Sequence, residues 1–217
     1  MPSTPQAIAI AAGEPAPGFE LPAVDGSGTI ALADYHGRSP LFLALFIGLW
    51  CPFCRRAIAQ MGNAAQALKA KGVETLGVVA TPVENAQLYF KFRPTRLRLA
   101  ADPGLTTHRA YGLPKPTPTP ELLQAIEQTQ INPNGILPKP LPIPEAAAAV
   151  GRLDGYTENE IDMADMERQW PQLKGQFLID RNCIVRWTHV ECAEEGLAGI
   201  GKFPTSEEIL EASRAVM

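Results

Sequence analysis

Apolar runs of strand length alternate with amphipathic stretches in the first half of the chain. The run LFLALFI at residues 41–47 is continuously apolar, which is typical of a central strand buried on both faces. Shorter runs at residues 73–79 and 96–102 predict two further strands. Between the first two runs, apolar side chains recur at the spacing of one helix face: Ile58, Met61, Ala65 and Leu68. This alternation predicts an α/β fold with a parallel or mixed sheet and helices on its faces.

The helix that follows the first apolar run has sequence signals at both of its ends. Pro52 suits the first helical turn, where its missing N–H group removes no hydrogen bond. Lys69 and Lys71 place positive charge in the last turn, and Gly72 is a typical stop. Cys51 therefore falls at the junction where a buried strand becomes a helix.

Further elements flank this central unit. Residues 1–17 are rich in alanine and proline and predict a loose arm. Residues 19–26 and 28–35 flank a Gly-Ser-Gly turn and predict a hairpin. The stretches 82–92 and 104–112 predict two more helices.

The C-terminal part of the chain predicts an antiparallel strand pair and a final helix. Residues 176–180 and 184–190 read as strands on either side of a turn at Arg181 and Asn182. Thr205 and Glu208 have the spacing of a capping box at the start of the last helix. Its inward face consists of Ile209, Leu210, Ser213 and Val216.

The composition changes between Leu113 and Pro144, where prolines are frequent. We expect extended, polyproline-like chain there, interrupted by one helix-compatible piece at residues 121–129. Two helices are predicted after it, at residues 145–153 and 157–170. The chain is therefore interpreted as one domain over residues 1–217 with a proline-rich and helical insertion at about 113–172. A lid, a partner-docking segment and a dimer arm all remain open as its role.

The overall charge excludes several classes of function. The 217 residues carry a net charge of −4, and no run rich in lysine or arginine is present, so nothing favours binding to nucleic acid or to an anionic membrane. The longest apolar run, at residues 41–50, is too short to span a bilayer. The N-terminal residues lack the basic region of a secretion signal, which predicts a cytoplasmic protein.

The chemistry is concentrated in the sequence WCPFCRR at residues 50–56. Free N–H groups and the helix dipole at a helix N-terminus stabilise a thiolate, the form of cysteine that attacks a disulfide or a peroxide. The spacing places Cys54 one helical turn after Cys51, within reach to resolve a mixed disulfide. Arg55 and Arg56 add positive charge nearby.

Two other interpretations of this cysteine pair stay open. The pair is either without function, or it is half of a zinc site completed by Cys183, His189 and Cys192. The C-x5-H-x2-C spacing of that second group is not a common zinc-finger pattern, so a thiol redox site without metal or cofactor is favoured. Cys183 is interpreted as a free thiol in a turn, and Cys192 as a free thiol or a third redox thiol.

The flanking sequences resemble a known family. W-C-x-x-C at a strand-to-helix turn is similar to the thioredoxin-like superfamily. The stretches GEPAPGFELPAVDG, LADYHGRSPLFLALF and FLIDRNCIVRW resemble its alkyl hydroperoxide reductase/thiol-specific antioxidant, or peroxiredoxin-like, branch. The resemblance covers roughly residues 13–112 and 174–216. It implies a thioredoxin-like fold, with a central mixed β-sheet flanked by helices.

The same resemblance implies an activity and its partners. We expect a thiol–disulfide oxidoreductase or thiol-dependent peroxidase that acts on a peroxide or a protein disulfide. A thiol reductant such as thioredoxin or glutathione regenerates the dithiol, no cofactor is needed, and a homodimer is possible. The alternative is a thioredoxin-fold binding or redox-sensing module without turnover, or a protein that holds zinc through its C-x-x-C pair.

The chain departs from both patterns that it resembles. Thioredoxin-type enzymes have a cis-proline just before the strand that faces the cysteines; here Pro171 lies too early and Lys174 occupies the loop. Peroxiredoxins have a cation at this place, usually an arginine, so Lys174 is either an active-site cation or an ordinary surface lysine. Their P-x-x-x-T-x-x-C pattern places Cys54 on the peroxidatic position, Cys51 on the threonine and Ile47 on the proline.

Position on the helix favours Cys51 as the nucleophile and Cys54 as the resolving thiol, because the first cysteine is expected to be exposed among the free N–H groups. Trp50 is interpreted as packing beside the pair or as ordinary core. Phe53 either tunes access to the pair or faces solvent. Arg55 either lowers the pKa of a thiol or is a solvated surface cation.

Overall fold

The computed structural model describes residues 9–216. Nine strands and seven α-helices follow one another in these residues: β1 Glu20–Pro22, β2 Thr29–Ala31, β3 Leu41–Phe46, α1 Pro52–Ala70, β4 Glu74–Val79, α2 Val83–Phe92, β5 Leu99–Ala101, α3 Thr106–Ala110, α4 Pro120–Gln128, β6 Gln130–Ile131, β7 Leu141–Pro142, α5 Ile143–Asp154, α6 Glu160–Gln169, β8 Gly175–Ile179, β9 Val185–Val190 and α7 Ser206–Ala212.

Five of these strands form a central mixed sheet in the order β5-β4-β3-β8-β9. β3 pairs in parallel with β4 and antiparallel with β8, while β8 pairs antiparallel with β9. The predicted α/β fold with a mixed sheet is confirmed. β3 lies at the centre of the sheet, and all six of its residues are buried.

The continuous apolar run of β3 is explained by cover on both faces of the sheet. Phe42, Ala44 and Phe46 belong to the apolar cluster that contains α1 and α7. The alternate residues Leu41, Leu43 and Leu45 belong to a second cluster with the β1–β2 hairpin. A strand covered in this way has no solvent face, so its sequence does not alternate with polar residues.

The described part of the N-terminal segment is not loose, which corrects the prediction for residues 9–17. Gly13 N–H donates to Val185 O at 2.8 Å, and Val185 N–H donates to Glu14 O at 2.9 Å. Ala16 N–H donates to Cys183 O at 2.8 Å. The segment lies beside β9, an edge strand whose unpaired backbone groups need partners. Residues 1–8 of the predicted arm lie outside the described residues.

Both predicted hairpins are confirmed. β1 and β2 pair antiparallel, with Leu21 opposite Ile30. β8 and β9 pair around the turn at Arg181 and Asn182. The next residue, Cys183, has φ of 58°, a left-handed conformation that glycine adopts more readily.

The proline-rich segment, defined as residues 113–172, contains more regular structure than the sequence predicts. Residues 113–119 contain no helix or strand, and α4 follows them. β6 and β7 then form a two-residue antiparallel pair, and α5 begins at Ile143, inside the stretch predicted as extended. Proline at position 144 fits because it lies in the first turn of that helix. In residues 9–216, no helix is both long and apolar enough to cross a bilayer.

His108 in α3 is completely buried, and neither of its ring nitrogens has a hydrogen-bond partner among the described residues. Burial lowers its pKa to about 4, although the negative charge of Asp102 acts in the opposite direction. The folded protein therefore holds a neutral imidazole at a pH where the unfolded chain binds a proton.

This burial predicts a pH-dependent loss of stability. Because the unfolded state binds the proton first, the free energy of unfolding should fall by about 3 kcal/mol as the pH drops from about 6.5 to about 4. Denaturant unfolding across this range measures it. His108→Leu should flatten the dependence, whereas His36→Leu at an exposed histidine serves as the matched control. An unchanged slope in His108→Leu would contradict the prediction.

Candidate redox site

Cys51 lies at the predicted junction between strand and helix. It is the N-cap of α1, with extended backbone dihedrals, and Pro52 occupies the first helical position. The backbone N–H of Cys54 donates a hydrogen bond to Cys51 Sγ at 3.3 Å. The sulfur therefore meets one of the free N–H groups of the helix end, an arrangement that stabilises negative charge on sulfur.

Both sulfurs of the pair are shielded from solvent. Cys51 is 4% exposed and Cys54 is fully buried, and both are free thiols. The expectation that Cys51 is exposed at the helix start is wrong.

The environments of the two cysteines separate their pKa values. Burial alone would raise the pKa of Cys51, but hydrogen bonds from Cys54 and the positive charge of Lys174 outweigh it and bring the pKa to about 7. Burial raises the pKa of Cys54, and the hydrogen bond and negative charge of Cys51 raise it further. Cys51 therefore ionises before Cys54 as the pH rises.

A buried ion pair lies next to the cysteines. Lys174 is 3% exposed, and its Nζ lies 2.5 Å from Glu191 Oε1. Burial lowers the pKa of Lys174, but Glu191 and the two sulfurs raise it by more, so the ammonium stays charged. The interpretation of Lys174 as a surface lysine is wrong, because the β8–β9 pairing carries it and Glu191 into the interior together.

Sequence reasoning missed Glu191, which directly follows β9. Besides the lysine, its carboxylate accepts hydrogen bonds from Gly201 N–H at 2.8 Å and Lys174 N–H at 3.3 Å. No signal in the sequence indicated this ion pair, because Glu191 stands at the end of a strand and has no basic residue at a recognisable spacing. Three donors compensate the burial of its charge.

The loop before Cys51 is held by Gln169, which sequence reasoning also missed. Its Oε1 accepts hydrogen bonds from Gly48 N–H at 2.7 Å and Trp50 Nε1–H at 2.9 Å, while its Nε2 donates to Ala80 O. A Cβ on Gly48 would lie 2.6 Å from Trp50 Cδ1, so this loop requires glycine. Trp50 is half-buried and is oriented by an amide from α6.

Arg55 is not the solvated cation that the sequence left open, since its side chain is only 1% exposed. Its Nε donates to Asp154 Oδ2 at 2.7 Å, and its Nη1 donates to Leu49 O at 2.6 Å. Glu158 Oε1 lies 3.3 Å from the same Nη1. Arg55 thus joins the first turn of α1 to the end of α5, whereas Arg56 is exposed.

Phe53 is 6% exposed, so its predicted solvent-facing alternative is wrong. A Cβ on Gly201 would lie 2.9 Å from the Phe53 ring and 2.8 Å from Pro133 Cγ. The Asn134 side chain exchanges hydrogen bonds with the backbone of Phe203 at 3.0 and 3.3 Å. The proline-rich segment and the chain around Gly201 therefore meet over Phe53.

Cys183, His189 and Cys192, the residues of the alternative zinc site, are not grouped with this pair as metal ligands in residues 9–216. Cys192 is half-buried, and burial raises its pKa to about 12. The ring of His189 forms a hydrogen bond with Gln176 Oε1 at 2.6 Å. Within the described range 9–216, no group of three or more His, Cys, Asp and Glu residues is arranged to hold a metal ion. The Trp170–Pro171 peptide is cis and lies before Lys174 rather than at the start of β8.

The charges around Cys51 predict opposite effects of two substitutions. Lys174→Met removes an attractive cation and should raise the pKa of Cys51 by about 1 unit or more. Glu191→Gln removes a repelling anion and should lower it. The pH dependence of alkylation by iodoacetamide measures both, in a background of Cys183→Ser and Cys192→Ser. Shifts in the same direction would show that these charges do not control the thiol.

Comparisons with known proteins agree with this architecture. The chain shares its fold with peroxidoxin BcpB from Mycobacterium tuberculosis (16% identity, TM-score 0.57, 95% of this chain and 97% of that one). It also shares it with the reduced 2-Cys peroxiredoxin of Plasmodium vivax (18%, 0.57, 94% of each chain). A third structure is a candidate thiol:disulfide interchange protein DsbE from Chlorobium tepidum (22%, 0.50, 94% and 99%).

Sequence comparisons identify the family. A search of curated protein sequences finds no match. The family model for AhpC/TSA matches residues 12–188, which include the cysteine pair and both strands of the sheet that flank β3. The resemblance predicted from the sequence is thereby confirmed, and with it a thioredoxin-like fold and a thiol-dependent type of redox chemistry. The chain belongs to the AhpC/TSA family.

Proposed function

We propose that the protein is a thiol-dependent oxidoreductase in which Cys51 is the nucleophile and Cys54 is the resolving thiol. The observation that carries this proposal is the separation of the two pKa values, with Cys51 at about 7 and Cys54 raised. A nucleophile needs the thiolate, whereas a resolving thiol only has to ionise once its partner has reacted. The 3.3 Å hydrogen bond from Cys54 N–H to Cys51 Sγ places the two residues side by side.

A hydroperoxide is the oxidant that the geometry supports best. Cys51 is 4% exposed beneath neighbouring segments, so a small molecule reaches its sulfur more easily than a folded protein does. The Cys51 thiolate attacks the terminal peroxide oxygen, the O–O bond breaks, and an alcohol or water leaves after taking up a proton. Cys51 becomes a sulfenic acid. Lys174 supports the attacking thiolate electrostatically.

The second half of the reaction closes an intramolecular disulfide. The Cys54 sulfur attacks the sulfenic sulfur, water leaves, and the Cys51–Cys54 disulfide forms. Two equivalents of a thiol reductant, such as glutathione, or one dithiol such as thioredoxin then restore both cysteines. The balance is one hydroperoxide and two thiols converted to an alcohol or water, a further water and a disulfide. No cofactor enters this sequence.

Reduction of protein disulfides is the second candidate activity. The C-x-x-C spacing at a helix N-cap favours it, because the same pair of sulfurs resolves a mixed disulfide. The fold shared with the Chlorobium tepidum protein is compatible with it. A redox-sensing or binding module without turnover is distinguished from both activities by catalytic rates. Homodimer formation and a cytoplasmic location stay predictions, as does the division into one domain with an insertion.

We assign supporting roles to the residues around the pair. Pro52 starts α1 without leaving a backbone N–H group unpaired. Trp50 fixes the loop before Cys51 through its hydrogen bond to Gln169. Arg55 fixes the first turn of α1 through Asp154. Phe53 controls access to the sulfurs. Lys174 is the active-site cation.

Variants of the two cysteines test the order of attack. With hydrogen peroxide in a stopped-flow instrument, Cys54→Ser should still react and accumulate a sulfenic acid at Cys51, detected with dimedone and mass spectrometry. Cys51→Ser should lose the fast reaction. The rate should rise with pH around 7, as the thiolate forms. Cys183→Ser and Cys192→Ser are the controls. An adduct that forms only in Cys51→Ser would reverse the assignment.

The cover over Phe53 predicts how access is controlled. Asn134→Ala removes the hydrogen bonds to Phe203 and should speed the labelling of Cys51 by a bulky maleimide more than by iodoacetamide. Both rates are measured by mass spectrometry in a Cys183→Ser and Cys192→Ser background. Asn182→Ala, in an exposed turn, is the matched control. Equal acceleration of the two reagents, or equal effects of the two variants, would disprove the role of this contact.

A further inference from the structure

A cavity of about 850 Å³ lies beside the redox helix and shares Phe53, Arg55 and Asp154 with the surroundings of the cysteine pair. Its wall includes residues of α1 and α2, residues 93–96, and Gly201 and Phe203. Neither cysteine lines it, but Phe53, the second residue between them, does. Its volume falls in the range of cavities that hold small organic molecules.

Positive charge is concentrated around this cavity, although the whole chain has a net charge of −4. Among the described residues that line it, four are arginines and Asp154 alone is acidic. The carboxylate of Asp154 is already paired with Arg55, whose Nε lies 2.7 Å from Asp154 Oδ2. In the described part of the chain, Arg56, Arg93 and Arg96 have no carboxylate within ion-pair distance. Three arginines without an ion-pair partner therefore line one cavity.

Arg93 is held in place before any ligand arrives. Its guanidinium lies over two aromatic rings, 5.4 Å from the centroid of Tyr89 and 5.1 Å from that of Tyr156. Its Nη2 also donates a hydrogen bond to Gly155 O at 3.3 Å. A guanidinium fixed in this way loses little conformational entropy on binding, and its planar shape matches a carboxylate or a phosphate.

Aromatic side chains form part of the remaining wall. Phe53, Tyr89, Phe90 and Phe203 all line the cavity. Aromatic faces favour an apolar body in the ligand, whereas the arginines favour acidic groups attached to it. The positive charge disfavours a metal cation.

We propose that this cavity binds a small organic anion with an apolar body and at least two acidic groups. Arg93 and the pair Arg56 and Arg96 receive the acidic groups, and the phenylalanine side chains contact the body. The site goes beyond the proposed thiol chemistry and does not depend on it, because the cavity is formed without either sulfur.

Isothermal titration calorimetry with isophthalate, an aromatic dicarboxylate, tests the proposal on the full chain. Isophthalate should bind, and its affinity should fall with added salt, because the interaction is between charges. Isophthalamide has the same shape without the charge and should bind at least about tenfold more weakly, the loss expected when charged hydrogen bonds are removed. Equal binding of the two compounds, or no binding of either, would overturn the proposal.

Arginine variants locate the binding. Arg93→Gln and the double variant Arg56→Gln/Arg96→Gln should each weaken isophthalate binding about tenfold or more. Arg38→Gln, at an exposed arginine outside the cavity wall, should leave it unchanged and controls for lost net charge. An equal loss of isophthalate affinity in Arg38→Gln would show that binding is non-specific and would contradict the proposal. Binding of polyglutamate but not of isophthalate would show that the cavity binds an acidic protein, which would also contradict it.

Cys51→Ser separates this site from the redox chemistry. The variant should bind isophthalate as the wild type does while losing its fast reaction with peroxide. Binding that disappears in Cys51→Ser would contradict the independence of the two sites. A wild type that binds isophthalate but does not react with peroxide would refute the proposed function alone.

Discussion

The site depends on how a partly ionised sulfur is stabilised in a buried position. Burial disfavours the thiolate of Cys51, and the hydrogen bonds from Cys54 together with the charge of Lys174 oppose that effect strongly enough to leave the pKa at about 7. Lys174 is itself buried, so it requires Glu191, and Glu191 in turn requires the N–H of Gly201. Removing either Lys174 or Glu191 leaves the other as a buried charge without its ion-pair partner, which is strongly destabilising.

The fold supplies these groups from three separate places. The buried strand β3 leads into α1 and sets Cys51 at the helix start. Lys174 precedes β8 and Glu191 follows β9, so the antiparallel pairing of these strands places them side by side. The proline-rich segment closes the arrangement through Gln169, which holds the loop before Cys51, and through Asp154, which holds Arg55. The proline-rich segment thus fixes the loop before Cys51 and the first turn of α1 through side chains that lie outside both.

The sequence predicted those features that local pattern determines. The apolar run at 41–47, the helical spacing from Ile58 to Leu68 and the position of Cys51 between them are each set by neighbouring residues, and the structure agrees with them. Glu191 contacts Lys174, 17 positions away, and Gln169 contacts Trp50, 119 positions away, so no spacing indicated them. The exposure expected for Cys51 was wrong, as were the exposed alternatives for Phe53 and Lys174, for the same reason. Their cover comes from segments whose docking depends on the complete fold.

The most direct test is to titrate each cysteine of the pair separately, by following the Cβ chemical shifts of the reduced protein labelled with ¹³C-cysteine as the pH is raised. The structure predicts that Cys51 ionises at about pH 7 and that Cys54 remains a thiol until well above its ordinary range. If Cys54 ionises first, or if both cysteines titrate together near their ordinary pKa, Cys51 is not the activated sulfur.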